Sequence, residues 1–524
     1  MLIPLLIFLY YIVGIRQVLD FGDSASYLAD AITSFFIFEE KGLTAAYHYL
    51  WSHSKPLLQN SLALPLLILL KGNILLVYKL IQCSLYALFL YTLWKMSELL
   101  GTLRNSLILY LFLALLPVSF SLGFHYGGEI GATTFSLLGL VAFIKYQNFS
   151  TGKYLYAMAV FLALACYSRP LETLLFAMPL YLIPFLEDSK KQKLLMLISF
   201  FLTCFFLYLS YYSIFQKLFI FIASSIFYLS IVVTHFVNKK VSIANCSFAI
   251  LMGLICTRFI LGVELLLDWV LYTGKSVSPL YVLDVGFFAP YKAFFFALGY
   301  YYWPILLLLL TYFCISKGVL PIKEISSRTK FLFVYLAFGI VIFLVGMGGT
   351  SPHYYILNAF IIYFSFFWIL GKYLIQKPIL LSLIILPGIL LNSIFLVIYS
   401  KKEFQKSLSI RPSLLLYNFS FYPNSDDRGL YNPMIKKLNF YRVSEEDQIA
   451  IHSSIDNLSA SNLLLRSTEQ GRKWRFKRWV IGDKSKYILS DYSKLNDISK
   501  NEYHPISTIK FTEESTLTLL KRKP

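Results

Sequence analysis

Residues 18–31 read VLDFGDSASYLADA, directly behind the first apolar stretch of the chain. Three aspartates, Asp20, Asp23 and Asp30, stand within a few turns of the point where a membrane helix would end. Whether this stretch belongs to a soluble protein or marks a first exit from a bilayer decides the fold, and the rest of the sequence answers. Of 524 residues, 57% are hydrophobic and only 14% charged, against about 25% charged in an ordinary soluble protein. Runs such as 108–118, 194–208 and 305–310 are apolar without a polar face. A soluble core has no room for so many helices of that kind. The composition therefore predicts an all-α polytopic membrane protein.

About thirteen spans of roughly 20 residues are expected. They fall near 2–16, 76–98, 105–122, 129–146, 154–168, 170–186, 193–213, 217–237, 243–266, 291–315, 331–348, 355–374 and 379–399. The opening MLIPLLIFLYYIVGI lacks a basic n-region, and no small-x-small site precedes Asp20, so it reads as a retained first helix. The six cysteines, Cys83, Cys166, Cys204, Cys246, Cys256 and Cys314, lie in or beside apolar runs with no CxxC pair. That spacing indicates neither a zinc site nor a disulfide framework.

Lysine and arginine set the orientation, because basic loops stay in the cytoplasm. Alternate loops hold Arg104; Lys145 and Lys153; Lys190, Lys191 and Lys193; Lys239 and Lys240; Lys317, Lys323, Arg328 and Lys330; Lys372 and Lys377. The intervening GFHYGG and GGTSPHYY turns have none. The N-terminus is thus expected inside, with Asp20 and Asp23 on the opposite face.

Two large non-cytoplasmic pieces follow. The first is an outer loop over about 17–75, in which 24–38 reads as an amphipathic surface helix with Asp23 at its N-cap. The apolar stretch 56–70 is too short to span. The second is the tail, 401–524, polar and turn-rich, which suits a small soluble α+β domain of about 110 residues. It carries 22 Lys and Arg against 14 Asp and Glu. Parity places it outside, although Lys401, Lys402 and Lys406 directly after the last span pull the other way. Its GRKWRFKRWV alternates basic and aromatic residues. In that compartment the pattern suits a strand or a membrane-surface contact, and no nucleic-acid partner is expected.

Charge near hydrocarbon costs several kcal/mol unless it is paired or faces a wet cavity, and this chain gathers such residues on its outer face. They are Asp20 and Asp23; His125 and Glu129; Arg169 with Glu172; Glu264 and Asp268; and His353 with Tyr354 and Tyr355. Bland roles exist beside the chemical ones. Asp23 also suits a helix cap, and Glu129 a first-turn residue on the helix dipole. Arg169 has an ion-pair partner three residues on, in Glu172. His125 and His353 also suit interfacial hydrogen bonding.

GDSASYLADA resembles the first-loop motif of the C-type membrane glycosyltransferases, the class of protein O-mannosyltransferases and lipid A aminoarabinose transferases. KPLLQNSLALPLLILLKG resembles their amphipathic "KPPL" region, YSRPLETLLF their Arg-Pro segment and SPHYYILNAFIIYF their late RY-x-L-P-x-x-P motif. The acidic Glu129 opens the fourth span as in that class. The resemblance covers residues 1–400. This chain departs from the pattern at His353, where many relatives have Arg or Lys, at the missing late prolines, and in having Asp-Ser for Asp-Glu in the first loop.

The resemblance implies transfer of a sugar from a polyprenyl-phosphate donor to an acceptor on the non-cytoplasmic side, with inversion. The acceptor class spans lipids, glycans and proteins, in contact with membrane lipids, and the residue style suggests a bacterial inner membrane. Asp23 is then the general base, with Asp20 beside it to orient it or share a metal. Tyr27, Arg169, His353 and Tyr354 would hold substrate and phosphate, and Glu129 with His125 a divalent ion such as Mg or Mn. A lipid-linked oligosaccharide polymerase or ligase would favour paired arginines in outer loops. A transporter or flippase would favour broken helices at the midplane in related halves; Arg258 is the main residue that transport explains better.

Overall fold

The computed structural model describes residues 2–9, 23–54, 56–99, 103–114, 126–149, 152–169 and 359–364 of the apolar part. In the tail it describes 428–445, 447–452, 460–478, 485–491, 502–510 and 516–523, with a few single positions besides. The helices are α1 (Leu2–Leu9), α2 (Asp23–Lys41), α3 (Leu43–His53), α4 (Leu57–Leu69), α5 (Ile74–Glu98), α6 (Leu103–Ala114), α7 (Gly128–Phe149) and α8 (Gly152–Ser168). By length and composition, Ile74–Glu98 and Gly128–Lys145 are able to cross a membrane; α4 and the segment Tyr156–Ser168 are apolar but shorter. The spans expected beyond residue 169 lie almost wholly outside the described residues.

The first loop is helical nearly throughout. In α2, Leu28, Ala31, Ile32 and Phe35 recur at helical spacing and are buried, while Glu39, Glu40 and Lys41 at its end are exposed. Gly42 closes α2 with a φ of 85° and turns the chain into α3. α4 contains Pro65, which has no N–H to donate to the carbonyl of Ser61. The hydroxyl of Tyr47 on α3 donates to that carbonyl at 3.4 Å. α4 ends in a reversal at Lys71 and Gly72, both at positive φ. Asn73 then caps α5, its Oδ1 accepting from the Leu76 amide at 3.2 Å.

α7 is the central helix, buried continuously over 128–143. It forms an antiparallel hairpin with α8. Gly128 and Gly131 make that contact possible: a Cβ on Gly128 would fall 2.2 Å from the Ser168 carbonyl oxygen, and one on Gly131 2.3 Å from the Ser168 hydroxyl. At Gly128 the blocking atom is backbone and leaves no room for a methyl group; at Gly131 the Ser168 side chain would have to shift.

In the tail, α9 (Arg428–Phe440) precedes a five-stranded mixed sheet of order β2-β1-β3-β5-β4. Its strands are β1 (Gln448–His452), β2 (Arg475–Arg478), β3 (Tyr487–Asp491), β4 (Tyr503–Lys510) and β5 (Thr516–Arg522). β1 runs parallel to both β2 and β3, with Ile449 opposite Phe476 and Tyr487; β5 joins β3 and β4 antiparallel. α10 (Ala460–Glu469) is the crossover between β1 and β2, as parallel neighbours require. Met434, Ile435 and Leu438 of α9 pack with Ile449, Leu489, Leu517 and Leu519, while Ala450, Ile488 and Leu520 form a separate cluster. Side chains alternate between the two clusters along β1, β3 and β5, as a pleated strand dictates. Trp474, leading into edge strand β2, is buried and donates its indole N–H to the Val443 carbonyl at 3.0 Å.

Candidate active site

The hairpin of α7 and α8 brings its two polar ends together. Glu129 lies in the first turn of α7, and Arg169 follows the last residue of α8. Nη1 of Arg169 stands 2.8 Å from Oε1 of Glu129, with both side chains at least nine-tenths buried. Arg169, which the sequence paired with Glu172 or with a phosphate, thus has Glu129 as a partner. Glu172 is outside the described residues. Burial of either charge alone is expensive, and the pairing fixes the guanidinium at the mouth of the hairpin.

The turn leading into α7 is tied down by amides from α4 and α5. Gln59 donates its side-chain N–H to the Gly127 carbonyl, and Gln82 donates to the Gly123 carbonyl at 2.9 Å. Asn60 is the hub of a second set of bonds. The Tyr126 hydroxyl donates to its Oδ1 at 2.9 Å, and its amide N–H groups donate to the Tyr27 carbonyl at 2.8 Å and the Ser54 hydroxyl at 2.7 Å. Asn60 is fully buried and satisfied on both ends of its amide. It joins α2, the α3–α4 junction and the turn before Glu129 in one knot.

Two phenols flank this knot. Burial, and secondly the charge of Asp30, push the Tyr126 hydroxyl far above the ordinary tyrosine range. Tyr49 on α3 is raised for the same two reasons, partly offset by its hydrogen bond with Thr33. Both stay neutral at physiological pH, and Tyr126 serves as the donor to Asn60. Trp51 of α3 meets Tyr167 of α8 edge-on at 5.6 Å, closing the α3 side of the corner.

Among the expected site residues, the structure brings Tyr27, Glu129 and Arg169 to this one corner. Tyr27 is half-buried, with its carbonyl on the Asn60 hub. Asp23 is the first residue of α2, one turn before Tyr27. Asp20, His125, His353 and Tyr354 lie outside the described residues, as do Glu264 and Asp268. Glu129, expected to ligate a divalent ion with His125, faces Arg169. Among the described residues no three His, Cys, Asp or Glu side chains stand together as a metal site.

Gln59, Asn60, Ser54 and Tyr126 carry the corner without having stood out by sequence. One signal for two of them was present: Gln59 and Asn60 are adjacent amides inside the apolar run LLQNSLALPLL, where unpaired amides are costly. Neither a protein-family model nor a characterised protein matches the chain.

Proposed function

We propose that this chain is a membrane glycosyltransferase of C-type character. In this reading it moves a sugar from a polyprenyl-phosphate donor to an acceptor on the non-cytoplasmic side. The observation that carries the reading is the buried Arg169–Glu129 pair at the mouth of the α7–α8 hairpin. The Gln59 and Asn60 contacts connect that mouth to α2, the helix that begins at Asp23. A lipid-phosphate substrate calls for such a corner: a fixed cation for phosphate and a carboxylate on a nearby surface helix.

Asp23 accepts the proton of the acceptor hydroxyl as that oxygen forms its bond to the anomeric carbon. The bond from that carbon to the phosphate oxygen breaks at the same time, and the polyprenyl phosphate leaves with the electron pair. One displacement inverts the anomeric centre. Arg169 stabilises the charge gathering on the departing phosphate, and its planar guanidinium suits two-pronged contact. Glu129 holds Arg169 in orientation. His353 and Tyr354 are assigned to the same phosphate, Tyr27 to the substrate beside Asp23, and Asp20 to orienting Asp23. A divalent ion such as Mg or Mn, held by Glu129 with His125, would add positive charge at the same phosphate; His125 lies outside the described residues.

The test is mass spectrometry of surface glycolipids, glycans and glycoproteins from a strain lacking the gene. Loss of one sugar substituent together with accumulation of its polyprenyl-phosphate donor is the expected result. An unchanged surface with an unchanged pool of lipid-linked sugars would refute the reading.

A further inference from the structure

The tail's crossover helix has two apolar sides. Leu463 of α10 belongs to the tail's own core, with Ile449, Leu489 and Trp474. Leu464 and Leu465 belong instead to the large core that contains Leu28, Ile32 and Phe35 of α2. Successive residues of a helix are about 100° apart, so these three leucines point to different neighbours. Both Leu464 and Leu465 are buried, at 8% and 2% exposure. A tail standing free in water would leave that second apolar face uncovered. Phe476 on edge strand β2 packs against both cores.

Charge marks the rim of the same contact. Lys473 Nζ lies 2.8 Å from Oε2 of Glu39, and Arg475 pairs with Glu40. Glu39 and Glu40 close α2, the helix that starts at Asp23. The two bases come from GRKWRFKRWV, the tail's most basic stretch. Two acidic residues on one partner and two basic residues on the other, around buried leucines, give an apolar centre with a charged rim.

We infer that the C-terminal domain is a clasp on the first-loop helix α2, docked through Leu464 and Leu465 of α10 with Lys473 and Arg475 of the β2 edge on Glu39 and Glu40. The clasp requires the tail and the first loop to share one side of the membrane. That requirement agrees with the parity of the spans and outweighs the pull of Lys401, Lys402 and Lys406. Under the proposed function, the tail holds the far end of the helix that carries the base, and so sets where Asp23 sits. The docking itself does not depend on which reaction the protein performs.

Paired cysteines in the full-length protein, in a background without native cysteines, test the contact. A protease site is added within 411–424. After treatment with a bis-maleimide long enough to span an extended lysine–glutamate pair, followed by cleavage, E39C/K473C is expected to keep the two fragments in one band, and the untreated sample to show two. E39C/E502C is the control, because Glu502 lies beside β4, the sheet edge opposite β2. Failure of the first pair to join, or equal joining by the control, overturns the clasp.

Charge exchange with the native cysteines in place provides a second measurement, by hydrogen exchange of residues 35–41 and 460–469. E39K/E40K is expected to raise exchange in both segments, roughly two- to fivefold for each exposed pair lost. Adding K473E/R475E is expected to return both toward the parent. Exchange that is unmoved by the first change, or not recovered by the second, also overturns the proposal. An inactive gene product that still cross-links would overturn the enzymatic reading and leave the clasp standing.

Discussion

Arg169 and Glu129 meet at 2.8 Å across the open end of a helical hairpin, from positions four tens of residues apart in the chain. Each is the other's compensation for burial, so removing one leaves a charge with lost solvation. Glu129→Gln is expected to destabilise the protein by roughly 3–5 kcal/mol, the cost of breaking a buried pair. A detergent-solubilised thermal melt reads this directly. The double change Glu129→Gln with Arg169→Met should recover most of it, since replacing both charges by apolar or neutral groups is far milder. A double variant no more stable than Glu129→Gln would show that the pair is not the source of the loss.

Arg169→Lys separates geometry from charge. The ammonium keeps the pair with Glu129 but lacks the planar fork. Near-parent stability with a raised KM for the lipid-linked donor is the expected outcome, and Arg169→Ala should raise that KM further. Unchanged donor use in both variants would leave Arg169 a purely structural partner of Glu129.

Asn60 should be costly out of proportion to its size. Asn60→Leu removes the acceptor of the Tyr126 hydroxyl and the donors to Tyr27 and Ser54. Each buried group left without its partner costs about 1–3 kcal/mol. Tyr126→Phe removes only one of those bonds and should cost roughly 1 kcal/mol. Thermal melts of the two single variants and the double variant measure the coupling. Strict additivity would mean that Asn60 and Tyr126 do not act together.

Gly128 leaves no space for a methyl group, because the atom it would meet is the backbone oxygen of Ser168. Gly128→Ala is therefore expected to push α8 away and cost about 1–3 kcal/mol as an overpacked contact. Donor use should fall as well, since Arg169 is the next residue after Ser168. A stable and fully active Gly128→Ala protein would contradict this packing.

Asp23→Asn keeps the side-chain shape and caps a helix about as well as Asp. It removes the proton-accepting charge. Expression and melting should stay close to the parent, while turnover should fall roughly 10²–10⁴-fold, as for loss of a general base. Asp20→Asn should be intermediate. Asp30→Asn should do much less to turnover, because the charge of Asp30 acts on the buried phenol of Tyr126 and the half-buried one of Tyr49. Normal transfer by Asp23→Asn would leave Asp23 as a helix cap and end its assignment as base.

Much of the local architecture was legible along the chain. The amphipathic spacing of 24–38 falls within α2, which begins at Asp23 itself and runs on to Lys41, and the apolar runs near 76–98, 129–146 and 154–168 fall within α5, α7 and α8. Such features depend on residues within a few turns of one another, where periodicity, capping and breakers act. The distribution of lysine and arginine sets the expected sidedness by the same kind of local count. Pairing between distant residues is a different matter. By sequence, Glu172 was the near partner for Arg169 and lies outside the described residues; the glycines at 128 and 131 let α8 approach so closely that Glu129, far away in the chain, is a partner. The Asn60 hub and the clasp of α10 on α2 are likewise products of three-dimensional proximity, since an amide or a leucine carries no mark of which distant surface will cover it. The sequence by itself therefore determined helices such as α2, α5, α7 and α8 and supplied the charges near their ends, because those follow from short-range physics. Which of those charges meet, and what holds them, was decided only when close packing selected one neighbour for each buried group.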